Sequence, residues 1–561
     1  MAGEQVTEFY DAIVVGSGAS GGWACKRLSE AGLKVALVDA GRPQVDKNFT
    51  EHDPVFSLKY RNRAREIIRK TRPIQGNVAS EYNYDWFSND LEEPYSVPPD
   101  MPFSWMGRLR VTGGRTNVWG RQSYRFSDLD FKAASYDGYG EDWPLSYKDL
   151  APYYDMVEEY VGITGMREGI DELPDGKFHP PMALTCTEVL FRDRARQKFG
   201  RLMTLGRSAN ITKPINGRAP CHYCGPCHQG CVTHSYFNSA FTTVADALKT
   251  GKCTHIANAM VYQVLMDRDR NRARGVLYID RVTHEPREVQ GRVIVLCAQA
   301  LESVRILFNS GNRQYPNGLA NSSGVLGHYL MDHIMGVGAS GEVPNVGSAK
   351  PSLNGPHRPD GIYVVRFRNT RNGPRDKRFL RGYGFQGGGY TSFAWSAPGF
   401  GDAYKKALTE PVTTFRLGAF GECLARWDNY IEIDPDLKDV FGIPVLRVHM
   451  KYAENEEAMA KDMAESAAEM IEAVGGRELK MQLKTPGPGW AIHEVGIARM
   501  GTDPKKSVLN QFQQAHDIRN LFVMDGAGFT STACQNPTLT IMALCVRSCD
   551  YLLDQLRRGD L

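Results

Sequence analysis

The sequence predicts an α/β fold: a parallel-sheet domain assembled from both ends of the chain, interrupted by an inserted α+β domain on an antiparallel sheet. Three observations carry this. Residues 11–41 place a glycine-rich turn and a helical stretch between two short apolar runs. Residues 520–553 return to the same style, and residues 335–450 change to glycine-rich, alternating segments. Parallel strands covered on both faces read as continuous apolar runs, whereas antiparallel strands with one open face alternate. At 561 residues the chain exceeds what one hydrophobic core serves, so two domains or interleaved lobes are expected.

The first unit is the most explicit. Ala12-Ile13-Val14-Val15 reads as a buried strand, and Gly16-Ser17-Gly18-Ala19-Ser20-Gly21 is a full G-x-G-x-x-G. A helix follows with Ala24, Leu28 and Ala31 on one face and Gly32 as its stop. Val35-Ala36-Leu37-Val38 is a second buried strand ending in Asp39. Gly16 allows the tight turn, Gly18 lets the backbone approach a pyrophosphate, and Gly21 lets the helix pack close to the sheet. The positive helix N-terminus faces the phosphates. Asp39 stands where a carboxylate accepts a ribose hydroxyl. A dinucleotide cradle is therefore expected, against the blander reading of a glycine-rich turn that binds nothing.

Residues 42–105 lack clean periodicity and read as a long, partly helical excursion. In the segment 107–120, paired Gly113-Gly114 inside a bulky stretch points to backbone passing close to something flat, or to an ordinary loop. Ser146 with Asp149 marks a helix start, and Leu150, Tyr154, Val157 and Val161 form its core stripe. A helix over 243–250 precedes a hairpin of strands over 256–264 and 275–279. Residues 292–297 form another buried strand, with a helix from 298 to 307. Antiparallel strands are expected at 363–367, 429–433 and 444–450. An amphipathic helix is expected over 456–474, with Met459, Met463 and Met470 as core and Gly475-Gly476 as its end. Residues 520–526 form a strand ending in Asp525-Gly526, and an apolar helix over 539–553 follows Asn536-Pro537-Thr538.

Composition is ordinary globular, with 42% hydrophobic and 23% charged residues and a net charge of +3. Disorder and nucleic-acid binding are not favoured, since the arginine-rich segment 61–72 reads as a solvated helix face. No apolar stretch is long enough to span a bilayer. The opening residues show no secretory pattern, so no export signal of the chain's own is expected, and work outside the cytoplasm would require travel with a partner.

Taken together, the N-terminal G-x-G-x-x-G, the Gly113-Gly114 loop, WPLSYKDLAPYYD, VIVLCAQALESVRIL and the closing MDGAGF…QNPTLTIMAL resemble the glucose–methanol–choline (GMC) oxidoreductase family. Within it they are most similar to the bacterial gluconate, glucose, fructose and glycoside 3-dehydrogenase catalytic subunits. The resemblance implies a Rossmann-like FAD-binding domain over 1–45, 105–125, 215–335 and 490–561. It implies a substrate domain over 46–104, 126–214 and 336–489. The implied cofactor-binding residues are Gly16, Gly18, Gly21, Asp39, Gly113, Gly114, Asn117, Asp525, Gly526, Pro537 and Thr538. The family's catalytic pair falls on His493 and Asn536. Neutral imidazole, with an unperturbed pKa of about 6.5, takes the hydroxyl proton as hydride leaves carbon, and a neutral amide holds the same oxygen. Pyranose oxidases carry a flavin-linking His where this chain has Val118, which implies non-covalent FAD.

Of twelve cysteines, four form Cys221-x2-Cys224-x2-Cys227-x3-Cys231, and thiolates so spaced point to a soft metal centre. Zinc is the plainer alternative, kept open by His222 and His228. The resemblance implies an iron–sulfur cluster in segment 219–232, [3Fe-4S] on Cys221, Cys227 and Cys231 or [4Fe-4S] with Cys224 added. The other eight cysteines read as buried small hydrophobes. The expected function is oxidation of a secondary alcohol of a sugar or glycoside, at C3 by likeness to the family, with electrons leaving through the cluster to a partner. The expected partners are a small subunit bearing an export signal and a cytochrome c-type acceptor. Periplasmic co-export is the expected location, otherwise the cytoplasm. The alternatives are a sugar oxidase that reduces oxygen and a non-catalytic electron-transfer subunit.

Overall fold

The computed structural model describes residues 8–267, 271–344, 358–392 and 399–561. A seven-stranded sheet carries both ends of the chain. Its order is Cys253–Ile256, Val35–Val38, Phe9–Val15, Pro286–Leu296, Arg272–Asp280, Ala259–Asp267, and Leu521–Val523 also pairs with Pro286–Leu296. Phe9–Val15 lies parallel to both neighbours, as Leu521–Val523 does to Pro286–Leu296. Ile13, Val14, Val35, Leu37, Ile294, Val295 and Phe522 are fully buried, as strands covered on both faces must be. The carboxyl ends of these parallel strands therefore share one edge, where ligands of open α/β sheets bind.

The strand expected over 292–297 begins earlier, at Pro286, because its polar first half pairs antiparallel with Arg272–Asp280. Of the hairpin strands, Ala259–Asp267 has the expected length but starts three residues later, and Arg272–Asp280 runs longer at both ends. Ordered cross-strand partners, rather than apolar character, extend Pro286–Leu296 and Arg272–Asp280.

A second sheet is wholly antiparallel, in the order Arg477–Gln482, Gly338–Glu342, Val412–Gly421, Tyr383–Ser392, Ile362–Val364, Met203–Leu205. The strand expected at 363–367 is the short Ile362–Val364. Those expected at 429–433 and 444–450 form a separate ribbon, Tyr430–Lys438 with Pro444–His449. The glycines of Tyr383–Ser392 have a steric cause: a Cβ at Gly387 would lie 1.9 Å from the Arg416 carbonyl oxygen. Helix Glu454–Glu472 covers this sheet, with Met459, Met463 and Met470 buried among Phe385, Phe415 and Leu417.

Helix Tyr147–Val161 starts as the sequence predicts, with the Asp149 carboxylate accepting the Ser146 N–H at 2.8 Å. The C-terminal helix Thr538–Arg558 packs against it and against helix Ala19–Glu30. Of the segment 61–72, only Arg65–Arg69 is helical, with Ile68 buried beneath the arginines. Among the described residues no helix is long and apolar enough to cross a membrane.

Candidate active site

At the shared strand edge, Gly16 turns with φ +96°, and a Cβ there would lie 2.5 Å from the Cys297 carbonyl oxygen. A Cβ at Gly21 would lie 1.8 Å from the Gly16 carbonyl oxygen, so helix Ala19–Glu30 can approach only because Gly21 lacks one. Gly18 differs: nothing lies within 4 Å of its Cβ position. It faces a cavity of about 1320 Å³, counting space open to solvent, that runs from Asp39 past Gly114 to His493, Asp525 and Thr538. Gly18 is also the helix N-cap, and no side chain caps the first turn. The free N–H groups of that turn thus meet an open space, the arrangement that holds a phosphate. The Asp39 carboxylate accepts the Ser17 N–H and the Gly41 N–H at 2.6 Å each, which fixes the turn on both sides of the strand end.

The Gly113-Gly114 loop is stitched to this turn: the Gly113 N–H donates to Ser17 Oγ at 2.8 Å. Asn117 does not line the cavity. It is fully buried, and its Nδ2 donates to the Thr112 and Gly114 carbonyls at 3.0 and 2.8 Å while its Oδ1 accepts from Asn238. Its amide is occupied in holding the loop, so its side chain supports the cradle from behind. Gly21 and Gly113 likewise shape the cradle from outside the cavity wall, whereas Gly16, Gly18, Asp39, Gly114, Asp525, Gly526, Pro537 and Thr538 line it. Asp525 is buried and pushed up to about 6, with Oδ2 accepting from Ser303 Oγ and Oδ1 from the Ala527 N–H. Beneath Arg108 and Arg110, Glu93 and Glu302 form a buried ion network. Burial opposes ionisation of Glu93, but Arg110, Arg281 and Arg108 outweigh it and hold the carboxyl at about 2. That network pins the segment that walls the cavity.

His493 also lines the cavity. Its Nδ1 lies 3.1 Å from Nδ1 of His333. One ring must bring the proton to that contact and the other a lone pair, which leaves Nε2 of His493 as its free nitrogen. Burial, then His333 and Arg115, push the His493 imidazolium well below its usual range. Burial holds His333 at about 4. Both rings are therefore neutral near pH 7. Asn536 is buried, and its Oδ1 accepts from Gln386 Nε2 at 2.5 Å, so its Nδ2 hydrogens remain to donate elsewhere. Among the described residues His493 and Asn536 share no hydrogen bond. Asn536 is not itself a lining residue of the cavity; it directly precedes Pro537 and Thr538, which are. Arg115 binds Glu494 through Nη1 at 2.6 Å and Nη2 at 3.1 Å, and joins the His493 turn to the glycine loop. Asp332, His333, Gln386 and Arg115 were not anticipated. The only sequence trace of the first two is an adjacent acid and histidine in the apolar run LMDHIM.

Two GMC oxidoreductase family models match residues 10–335 and 425–545. The chain belongs to the GMC oxidoreductase family. It is 31% identical to 2-methyl-1,2-propanediol dehydrogenase of Mycolicibacterium austroafricanum, over 97% of this chain and 95% of that one. It is 28% identical to the fructose dehydrogenase large subunit of Gluconobacter japonicus, over 98% of each. The fold is similar to that of pyridoxine 4-oxidase from Mesorbium loti, with a TM-score of 0.60, 18% identity, and coverage of 97% and 99%.

GMC oxidoreductases bind FAD, and this one's residues fit it: an uncapped helix N-terminus, an open face at Gly18, a strand-end carboxylate and a cavity reaching a histidine. The cysteine segment does not fit its expected group. Cys227 and Cys231 are buried against Tyr236, while Cys221 and Cys224 are half-buried. Burial, then the neighbouring thiols, pushes Cys224 up to about 11. Yet among the described residues no group of three or more His, Cys, Asp or Glu is placed to hold a metal ion. The iron–sulfur site expected at Cys221, Cys224, Cys227 and Cys231 is thus not assembled here. One further correction concerns Cys186, which is exposed at a helix start, unlike the other seven scattered cysteines.

Proposed function

We propose that this GMC oxidoreductase is an FAD-dependent dehydrogenase that oxidises a secondary alcohol of a sugar or glycoside, at C3, to the ketone. The observation that supports it is the neutral His493 imidazole, with Nε2 free, at the end of a cavity that begins at a dinucleotide cradle. FAD, bound without a covalent link beside Val118, supplies the acceptor for the hydride lost from carbon. His493 Nε2 accepts the substrate hydroxyl proton. Its Nδ1–H donates to His333 Nδ1 and fixes the tautomer in which Nε2 carries the lone pair. Asn536 Nδ2 donates to the reacting oxygen, its carboxamide oriented by Gln386. We assign residues 1–45, 105–125, 215–335 and 490–561 to FAD binding and the remainder to substrate.

The test is anaerobic flavin bleaching by a panel of sugars and diols, with product carbons assigned by NMR. His493→Ala is expected to keep its flavin and to reduce it about 10²–10⁴-fold more slowly. An unchanged rate removes His493 from the chemistry. Rapid reoxidation with stoichiometric peroxide after an oxygen pulse would favour an oxidase. A cluster at the four thiols, transfer to a cytochrome through a small subunit, and export with that subunit form a separate proposal carried by cysteine spacing alone. Iron and sulfide analysis with electron paramagnetic resonance tests it, and no step above passes through the cluster.

A further inference from the structure

The turn that presents His493 is strained. Ile492 has φ +62°, in the left-handed region that β-branched residues avoid. Backbone outliers of this kind persist only where the surroundings over-determine them, and they gather at functional sites. Here the first constraint is one carboxylate that takes both flanking amides. Asp332 Oδ2 accepts the Ala491 N–H at 3.2 Å, and Oδ1 accepts the His493 N–H at 3.0 Å. The amides on both sides of Ile492 thus converge on one side chain, as successive N–H groups do when a left-handed residue curls the backbone around an acceptor; burial, and then Glu494, push the Asp332 carboxyl up to about 7. Asp332 is fully buried and does not line the cavity, so it meets neither cofactor nor substrate. From the other side Arg115 Nη1 donates to the Ile492 carbonyl at 3.0 Å. Gly107 completes the fit: a Cβ there would lie 2.9 Å from Ile492 Cγ2.

We infer that Asp332 is a positioning residue for the base: it clasps the amides flanking Ile492, holds that residue left-handed, and thereby aims His493 at the substrate hydroxyl. The inference rests on His493 being the base. Near-attack geometry is steep, and a misplacement of about 1 Å costs about 10²-fold. Without the clasp, Ile492 relaxes toward negative φ and swings the next residue. Glycine at 492 occupies positive φ without penalty, so it should make the clasp less necessary.

The experiment is a double-mutant cycle on the FAD-loaded enzyme, with the limiting rate of anaerobic flavin reduction, KM, flavin content and visible spectrum as readouts. Asp332→Ala is expected to lower the limiting rate about 30–100-fold, with flavin content and spectrum retained and KM within about threefold. In the Ile492→Gly background the same substitution should cost about tenfold less than in the parent. This shrinkage is the readout that general destabilisation would not produce. Should Asp332→Ala not fold, Asp332→Asn, which keeps the volume and one acceptor, is read in the same way with a smaller loss. A wild-type rate in the Asp332 variant, or an equal loss in both backgrounds, overturns the clasp. His493→Ala separates the two claims. If it is slow while Asp332→Ala is not, only the clasp fails; if it is as fast as the parent, the base assignment fails.

Discussion

His333→Ala isolates what one buried ring contributes to another. In the resting enzyme the His493–His333 contact at 3.1 Å is a neutral hydrogen bond, worth about 0.5–1.5 kcal/mol. In the proposed reaction, as His493 takes the substrate proton the donor becomes charged, and such bonds are worth about 1.5–3 kcal/mol. The transition state therefore gains about 1–1.5 kcal/mol over the ground state. Deleting the partner should slow flavin reduction about tenfold at pH 8. The pH profile should move as well. Losing the bond that favours the imidazolium by itself lowers the His493 pKa, whereas opening the site relieves burial, the first cause of its depression, and the influence of His333, the second. Burial is the largest of these, so the net shift is upward. The active form is the unprotonated base, so activity is lost as pH falls through this pKa. Raising the pKa brings that loss to higher pH, and the variant's deficit should be larger at pH 6 than at pH 8. The assay is anaerobic stopped-flow reduction across pH 5–9 at saturating substrate. An acid limb that stays in place while the rate falls would refute the electrostatic reasoning. An unchanged rate would refute the hydrogen bond's role.

Three other outcomes follow from single distances. Gly18→Ala points its methyl into open cavity and should leave folding intact while weakening FAD retention, whereas Gly21→Ala meets the Gly16 carbonyl and should unfold the domain; thermal melts and flavin content read the contrast. Gln386→Leu frees the Asn536 carboxamide and should cost about 1 kcal/mol of transition-state binding, about fivefold in kcat/KM, with flavin spectrum unchanged. Arg115→Ala leaves the fully buried Glu494 carboxylate without its ionic partner, with only Gln299 among the described residues still donating to it, and should destabilise the protein by about 3 kcal/mol, measured by denaturant unfolding; the double variant with Glu494→Gln should recover much of it.

The site divides along a physical line. The cradle was legible because its determinants are contiguous: apolar run, glycine turn, helix and strand-end acid all lie within residues 11–41. The helix start at Ser146 and the methionine stripe of Glu454–Glu472 were legible for the same reason, since capping and helical periodicity act over three or four residues. Strand lengths were less so, because the polar half of Pro286–Leu296 is ordered by its partner and not by its own composition. For Asn117, spacing marks the loop, but only the fold shows that Asn238 and two carbonyls occupy its amide. For the cysteines, spacing announced proximity, but whether sulfurs meet at one point depends on backbone directions that spacing does not encode.

Sequence alone determined the glycine turn between its two strands and the family, and it singled out His493 and Asn536 as the pair to propose. Only the tertiary structure could bring Asp332 and His333 to His493 across about 160 residues of chain, and Gln386 to Asn536 across 150. Local propensity is written in neighbouring side chains. The tautomer of a buried imidazole, the orientation of an amide and the strain at Ile492 are set by atoms in contact, and these contacts exist only once both sheets have closed around the cavity.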